Sequence, residues 1–456
     1  MKPMPWRFLV VTEMGVESEP ARVTAAGLDA WLAGLGAVVE LSTGTTPMRI
    51  PVTGPEVFTP AGIRAALAAA RPGAAPGSPV SGDEIDGALH SPAFQRIESA
   101  WRGLRMLLEE TGDAVAVDVF SVPRAKLTAR LRPLLEQELD RPDSAALILL
   151  DFDFSHRPAD LALLRGLAEM AKVLQAPLVA GASAAFFDLR YLVQAIALPD
   201  LLTRLRTPAH SGWLEFQSSE PARWVVLTLN RWLQRAPHTD ETGYAERVTE
   251  SEPDTYLWGR GAWLLGATAA RSIRTYGQAV DLTGMQAGGF GGLPTRAYPT
   301  AANATAPLAV EVPLAEMQVI ELSRAAFTPI VAPLRGERAF IPMAVTVHRL
   351  APAKLTVEGT LGYQMLAGRL ARFCGQMLDE MPAGGAAECA AFMRAELLGF
   401  LGPFAGEAPA EAVQVEVREE TVDERPVMLA DVKVRPHITL EGKAPEFAFV
   451  LPLGRV

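Results

Sequence analysis

The stretch AALILLDFDFSHRPADLALLRGLAEMAKVLQAPLVAGAS, Ala145 to Ser183, sets the fold class. Ala145 to Phe152 is a nearly continuous apolar run, the pattern of a strand covered on both faces. Pro158 opens a helix that runs to Ala176, because the N–H it lacks would be unpaired in a first turn anyway. Pro177 to Ser183 returns to strand. This order is a βαβ unit, and its crossover predicts two strands that are parallel neighbours or near neighbours. The chain is therefore expected to be α/β, α+β in parts, with mixed sheets built from βαβ units.

Outward from this unit, Arg7 to Val11 (RFLVV) is another apolar run, Thr24 to Ala37 has helical spacing at Leu28, Trp31, Leu32 and Leu35, and Val38 to Ser42 returns to strand. Thr59 caps a helix with Pro60 in its first turn, running through Ala70. Arg71 to Gly82 (RPGAAPGSPVSG) reads as a linker, because its Pro, Gly and Ser sustain neither a helix nor a core. Ser81 and Glu84 make a capping box for a short helix, and Ser91 with Pro92 starts a longer one.

In that longer helix, SPAFQRIESAWRGLRMLLEETG (Ser91 to Gly112), Phe94, Ile97, Trp101, Leu104 and Leu108 form one stripe facing a core. Glu98 and Arg102 lie four apart, acid first, and read as a solvated ion pair contributing about 0.2–0.5 kcal/mol. Gly103 costs about 1 kcal/mol in a helix interior, which predicts a close neighbour on its face. Farther on, Arg223 to Leu229 reads as strand, and Thr255 to Gly277 and Gly362 to Met381 as helices. Ala412 to Glu419, Val427 to Leu440 and Glu446 to Leu453 alternate as strands do.

The composition narrows the function classes. At 456 residues, 49% hydrophobic, the chain is long enough for two or three domains. Its 42 Lys and Arg against 52 Asp and Glu give a net charge of −10, with no basic run to neutralise a phosphate backbone, so nucleic acid is not an expected partner. Cys374 and Cys389 form no C-x-x-C pair and fit a reducing compartment. The opening MKPMPWRFLVVTEMG is too weakly apolar for a signal peptide, and no segment reaches the length of a spanning helix. A soluble, cytoplasmic protein without membrane insertion is expected.

Catalytic constellations are scarce. Asp151, Asp153 and His156 lie just past the carboxyl end of a buried strand, where open α/β sheets bind ligands. They define one alternative, a metal-dependent hydrolase. Thr283 to Arg296 (TGMQAGGFGGLPTR) has five glycines but no dinucleotide-binding register, and no phosphate loop or G-x-S-x-G elbow occurs. The six histidines, at 90, 156, 210, 238, 348 and 437, show no H-x-x-x-H pair. No cofactor or resident metal is expected. What remains are apolar strands near both ends, suited to pairing with the sheet edge of another chain, and non-closing pairing of that kind builds a helical polymer.

Ala88 to Leu108 (ALHSPAFQRIESAWRGLRMLL) resembles the HPEFQKLEATWRGLHYLV-like signature of the large sheath subunit of bacterial type VI secretion systems, the TssC or VipB family. Four further blocks agree in order: Asp151 to Ser183, Trp213 to His238, Tyr256 to Gly277 and Glu321 to Val331. The motif residues are Phe94, Glu98, Trp101, Arg102 and Gly103, with Tyr256, Trp258 and Gly259. Residues 1–75 resemble the small sheath subunit, TssB or VipA, through Met4 to Gly15, Arg22 to Leu41 and Phe58 to Leu67. The resemblance thus implies a fusion: a small-subunit-like unit over 1–75, a linker and short helix over 76–90, and a large-subunit-like domain over 91–456.

It also implies a non-enzymatic contractile sheath fold, whose subunits polymerise around an inner tube, dock on a baseplate and contract. A ring-forming adaptor or baseplate component is the related alternative. In the family, terminal strands interlace between protomers; carried over, these are Phe8, Leu9, Val10 and Val11 at one end, and Val413, Val415 and Val417 or Phe447 and Phe449 at the other. The family's partners include an AAA+ ATPase that acts on a long helical segment ahead of the signature; the short Arg71 to Gly82 stretch stands in its place here. The implied location is the bacterial cytoplasm, at a membrane-anchored baseplate.

Overall fold

The computed structural model describes residues 4–41, 48–71, 79–197, 201–239, 248, 250–301, 304–349, 355–401, 410–422 and 425–455. The chain opens with β1 (Trp6–Thr12), β2 (Ala21–Val23), α1 (Leu28–Gly34), β3 (Val38–Leu41), β4 (Met48–Pro51) and α2 (Pro60–Ala70). Then come α3 (Gly82–Leu89), α4 (Pro92–Thr111), β5 (Val115–Ser121), α5 (Leu127–Glu138), β6 (Leu147–Phe154), α6 (Pro158–Leu174) and β7 (Leu178–Ala182). Helices α7 (Leu201–Arg204) and α8 (Ser211–Ser218) precede β8 (Val225–Leu229), β9 (Trp232–Leu233), β10 (Trp258–Gly259) and α9 (Gly261–Tyr276).

The second half holds α10 (Gly284–Ala287), β11 (Gly288–Phe290), β12 (Arg296–Ala301), β13 (Ala304–Leu308), α11 (Glu316–Arg324), β14 (Phe327–Pro329) and β15 (Ala339–Ile341). It ends in α12 (Leu361–Asp379), α13 (Ala386–Leu401), β16 (Val413–Val422), β17 (Arg425–Val434) and β18 (Phe447–Arg455). Among the described residues no helix is long and apolar enough to cross a membrane.

The βαβ unit organises a seven-stranded sheet ordered β14-β8-β7-β6-β1-β5-β2. Every pair is parallel except β2 with β5. Strands β6 and β7 are direct neighbours, as their crossover predicts. Because side chains alternate across a strand, each strand serves two cores. Phe8, Val10, Leu147 and Leu149 enter the core built on α4 and α9, while Leu9, Val11, Ile148 and Leu150 enter the core built on α5, α6 and α8. Both faces are covered, and continuous apolar runs follow from that coverage.

The position of β1 bears on two expectations, strand exchange at Phe8 to Val11 and a small-subunit-like unit over 1–75. It pairs with β5 on one edge (Phe8 with Val117) and β6 on the other (Phe8 with Leu147), and Phe8, Leu9, Val10 and Val11 are fully buried. Within the single chain both edges of this strand are therefore paired. Within the stretch expected as a small-subunit-like unit, β1 is an interior strand of the main sheet, and α1, β3, β4 and α2 pack into the core beneath α4. Of the expected linker, residues 72–78 lie outside the described residues.

The caps form as the sequence dictates. Thr59 and Ser91 accept from the backbone N–H of Gly62 and Phe94, and Ser81 and Glu84 complete their capping box. Helix α9 starts at Gly261 rather than Thr255, because Trp258 and Gly259 pair with Leu233 and Trp232 as β10.

A third core lies between α12, α13 and the antiparallel sheet β16-β17-β18. Helix α12 ties this unit to the amino ends of the main strands. Arg372 donates to the carbonyls of Ser144 and Ala145 (2.9 Å each), and Arg369 donates to the Met4 carbonyl (2.6 Å) while lying over the Trp6 ring at 4.3 Å.

Candidate assembly interface and motif core

The motif residues of α4 meet one neighbour after another. A Cβ on Gly103 would lie 2.5 Å from ring carbons of Trp263, so the glycine exists to admit that indole. Trp263 is fully buried, and its Nε1 donates to Asp151 Oδ1 at 2.9 Å. Trp101 donates to Asp29 (3.0 Å), packs on Phe58 (5.6 Å between centroids) and lies beneath the guanidinium groups of Arg102 and Arg105. Phe94 meets the same Phe58 edge-on at 5.5 Å. From the next turn, Ser99 donates to the Trp258 carbonyl (3.0 Å), and the Gln234 amide, packed on Gly259, donates to the Ser99 carbonyl (2.9 Å). Tyr256 and Trp258 stack edge to face, with Arg296 against both rings.

Glu98 is not half of a solvated ion pair. Its side chain is fully buried and is held by Arg102 (2.8 Å) and Arg235 (3.2 Å). Arg235 also grips Glu250 through two hydrogen bonds, 2.6 and 2.8 Å. Glu250 in turn meets His90 Nε2 (3.3 Å) and accepts from the His238 backbone N–H (2.7 Å). A carboxylate in a core persists only with such partners. The network locks the turn after α3 and helix α4 to the segment that follows β9.

Two groups here carry a pH dependence. Burial, then the Arg235 charge, pushes the His238 imidazole down to about 4. Burial raises Glu250, but hydrogen bonds from His90 and Arg235 outweigh it and hold the carboxyl at about 2. The ordinary values are 6.5 for His and 4.5 for Glu. Both groups bind protons more weakly when folded, so the stability they contribute is whole above pH 6.5. It is lost through the His238 window from 6.5 to 4, then through the Glu250 window from 4.5 to 2. The His238 window alone removes about 3 kcal/mol. Urea midpoints should fall steadily between about pH 7 and about pH 4, and a flat profile contradicts this assignment.

The structure divides Asp151, Asp153 and His156, the ligand set of the hydrolase alternative. Asp151 is buried and saturated: Arg260 (2.8 Å), Trp263 (2.9 Å) and the Thr12 hydroxyl (2.8 Å) all donate to it. Asp153 pairs with Arg260 Nε at 3.0 Å. Burial lowers Arg260, but the two aspartates more than reverse this, and the guanidinium is held charged. These carboxylates fasten the start of α9 to β6, and a cation would have to displace Arg260. His156 instead bonds Asp188 at 2.8 Å. The hydrolase alternative loses its ligand set.

At the C-terminal end, Val413, Val415, Val417, Phe447 and Phe449 face inward, onto α12 and α13. Phe447 stacks on Tyr363 at 4.6 Å. Their side chains are thus used within the chain, while the backbone of the two outer strands has one free edge each among the described residues. The edges differ. Strand β16 carries Glu416, Arg418, Glu419 and Glu420, and charges of this kind blunt an edge against pairing. From Phe447 to Gly454, β18 carries none, and Val450 is 51% exposed beside it.

Residues 82–348 match the family described as VipB: EvpB/VC_A0108, tail sheath N-terminal domain. The type VI secretion system sheath protein TssC1 of Pseudomonas aeruginosa is 25% identical over 268 residues, 53% of this chain and 54% of that protein. The chain thus spans about half the length of that curated relative. Among solved structures, the helical sheath of the anti-feeding prophage in its contracted state aligns with 100% of this chain and 90% of its own, at a TM-score of 0.43 and 12% identity. A sheath tail protein from Desulfitobacterium hafniense aligns with 99% and 97% of the two chains, at a TM-score of 0.43 and 8% identity. Residues 82–348, the matched span, are more than half of the chain and contain every motif residue of α4 and β10, and the protein belongs to the VipB tail sheath family.

Proposed function

We propose that the chain is the structural, non-enzymatic protomer of a contractile sheath of the type VI secretion kind. Copies polymerise helically around an inner tube, dock on a baseplate at a membrane, and contract in the bacterial cytoplasm to drive the tube outward. In this reading residues 1–75 take the place of the small subunit, supplying β1 to the main sheet in cis. A covalent link fixes the stoichiometry of the two parts and replaces a bimolecular encounter. The AAA+ ATPase is left out of this reading, since the segment it acts on in the family is short here.

One observation carries the assembly mode: β18 is an open edge strand, uncharged from Phe447 to Gly454 and anchored by its inward face to α12 and α13. Strand addition there supplies backbone hydrogen bonds without disturbing a core. Ala448 and Val450 point outward, so Ala448→Lys with Val450→Lys leaves the fold intact while charging the edge. Electron microscopy of the chain co-expressed with its tube protein should show hollow cylinders, and the doubly substituted chain should stay monodisperse with an unchanged melting midpoint. Closed rings that never lengthen would favour the adaptor alternative. Normal cylinders from the substituted chain would remove β18 from the interface.

A further inference from the structure

Beyond the sheath function, and independent of it, we propose that His156, Asp188 and His210 bind one divalent transition-metal ion of borderline softness, with Zn²⁺ the best fit. The three come from separate loops: His156 follows β6, Asp188 lies beyond β7, and His210 immediately precedes α8. Each offers a ligand atom, and these atoms all lie within 4.8 Å of one another. Two imidazoles and a carboxylate are the donor set of a three-ligand zinc site whose fourth position is left to water.

The hydrogen bonds prepare His210 for that role. Its Nε2 faces the Phe186 carbonyl at 2.8 Å, and since a carbonyl only accepts, Nε2 carries the proton. A metal-bound imidazole is oriented in the same way, through its non-ligating nitrogen. The lone pair is then on Nδ1, where it accepts from the Thr207 hydroxyl (2.9 Å), a group that can rotate away. The His210 ring is buried and fixed at both nitrogens.

His156 is held by a single bond, Nε2 to Asp188 Oδ1 at 2.8 Å, and its Nδ1 is buried with no hydrogen-bond partner. Its ring stacks on His210 with centroids 4.1 Å apart. Turning it to aim a nitrogen at the His210 lone pair costs that hydrogen bond and the ring stacking, and the Asp188 carboxylate it releases becomes the third ligand. Asp188 is placed by a left-handed backbone (φ 56°) and by Arg204, which donates to the neighbouring Phe187 carbonyl at 2.9 Å. A bound ion would fasten the loops after β6 and β7 to the start of α8.

Co²⁺ is the direct probe, because tetrahedral coordination gives it strong visible absorption and Zn²⁺ displaces it. Titration of the full chain should saturate at one Co²⁺, with the band lost on adding Zn²⁺ and the melting midpoint raised by either metal. His156→Gln and Asp188→Asn should abolish the band, whereas Asp153→Asn should keep it. Asp188 is exposed, so its variant decides the matter if the histidine variant misfolds. No saturable band in the unaltered chain, or an identical band in Asp188→Asn, would overturn the proposal.

Discussion

Arg235→Met destabilises the α4 region by about 3–5 kcal/mol, the usual consequence of removing one partner from a buried ionic network. The substitution keeps volume and removes charge, so two carboxylates, Glu98 and Glu250, lose their shared cation in a region sealed from water. Arg102 still reaches Glu98, and His90 still reaches Glu250, but neither makes the paired bonds that Arg235 gives Glu250. Amide exchange in α4 and in the segment from Arg235 to His238 should accelerate by about 100- to 4000-fold, since each tenfold corresponds to about 1.4 kcal/mol. Adding Glu98→Gln and Glu250→Gln should restore part of the loss, because neutral amides need no counter-charge. Exchange rates unchanged within threefold would mean that the network is solvated and the carboxylates pair elsewhere.

Gly103→Ala is decided by the sign of its effect. In an open helix position the change stabilises by about 1 kcal/mol. Here the new methyl would sit 2.5 Å from the Trp263 ring, which is fully buried and cannot retreat without releasing Asp151. Overpacking costs about 1–3 kcal/mol and the lost bond to a charged acceptor about 1.5–3 kcal/mol, so the net effect is a loss of roughly 1.5–5 kcal/mol after the propensity gain. A lowered urea midpoint for Gly103→Ala confirms the close approach, and a raised one contradicts it. Trp263→Leu in the same chain should relieve the clash, so the double variant falls short of the sum of the two single losses.

Much of this was legible in the residues, where the information is local. The stripe from Phe94 to Leu108 is buried as its spacing predicts, the βαβ unit around Leu147–Ala182 forms parallel neighbours, and the caps at Thr59, Ser81 and Ser91 close as their chemistry requires. Gly103 announced a close neighbour without naming it. The rest depended on partners far along the chain. Strand β1 looks terminal because its two flanking strands lie more than a hundred residues away, and nothing local distinguishes a central strand from an exchanged one.

Strand β5 escaped notice because Asp118 breaks its apolar run. Only the fold brings Arg7 and Arg22 to that carboxylate. The same limit hid the burial of Glu98, since an i, i+4 acid–base pair reads as a surface feature until Arg235 and Glu250 close over it. Asp151 and Asp153 leave an alternative open for the converse reason. Two carboxylates at a strand end look like metal ligands until Arg260 arrives from more than a hundred residues away. His156, Asp188 and His210 have no motif spacing at all, and only the convergence of three loops makes them a cluster.

Amide hydrogen exchange of Phe447 to Arg455, compared between isolated chains and assembled cylinders, tests strand sharing most directly. The free edge of β18 should exchange readily in the isolated chain and become protected by about 100-fold or more on assembly, as a newly paired strand does. Complete cylinders in which these amides exchange as fast as in the isolated chain would contradict assembly through this edge.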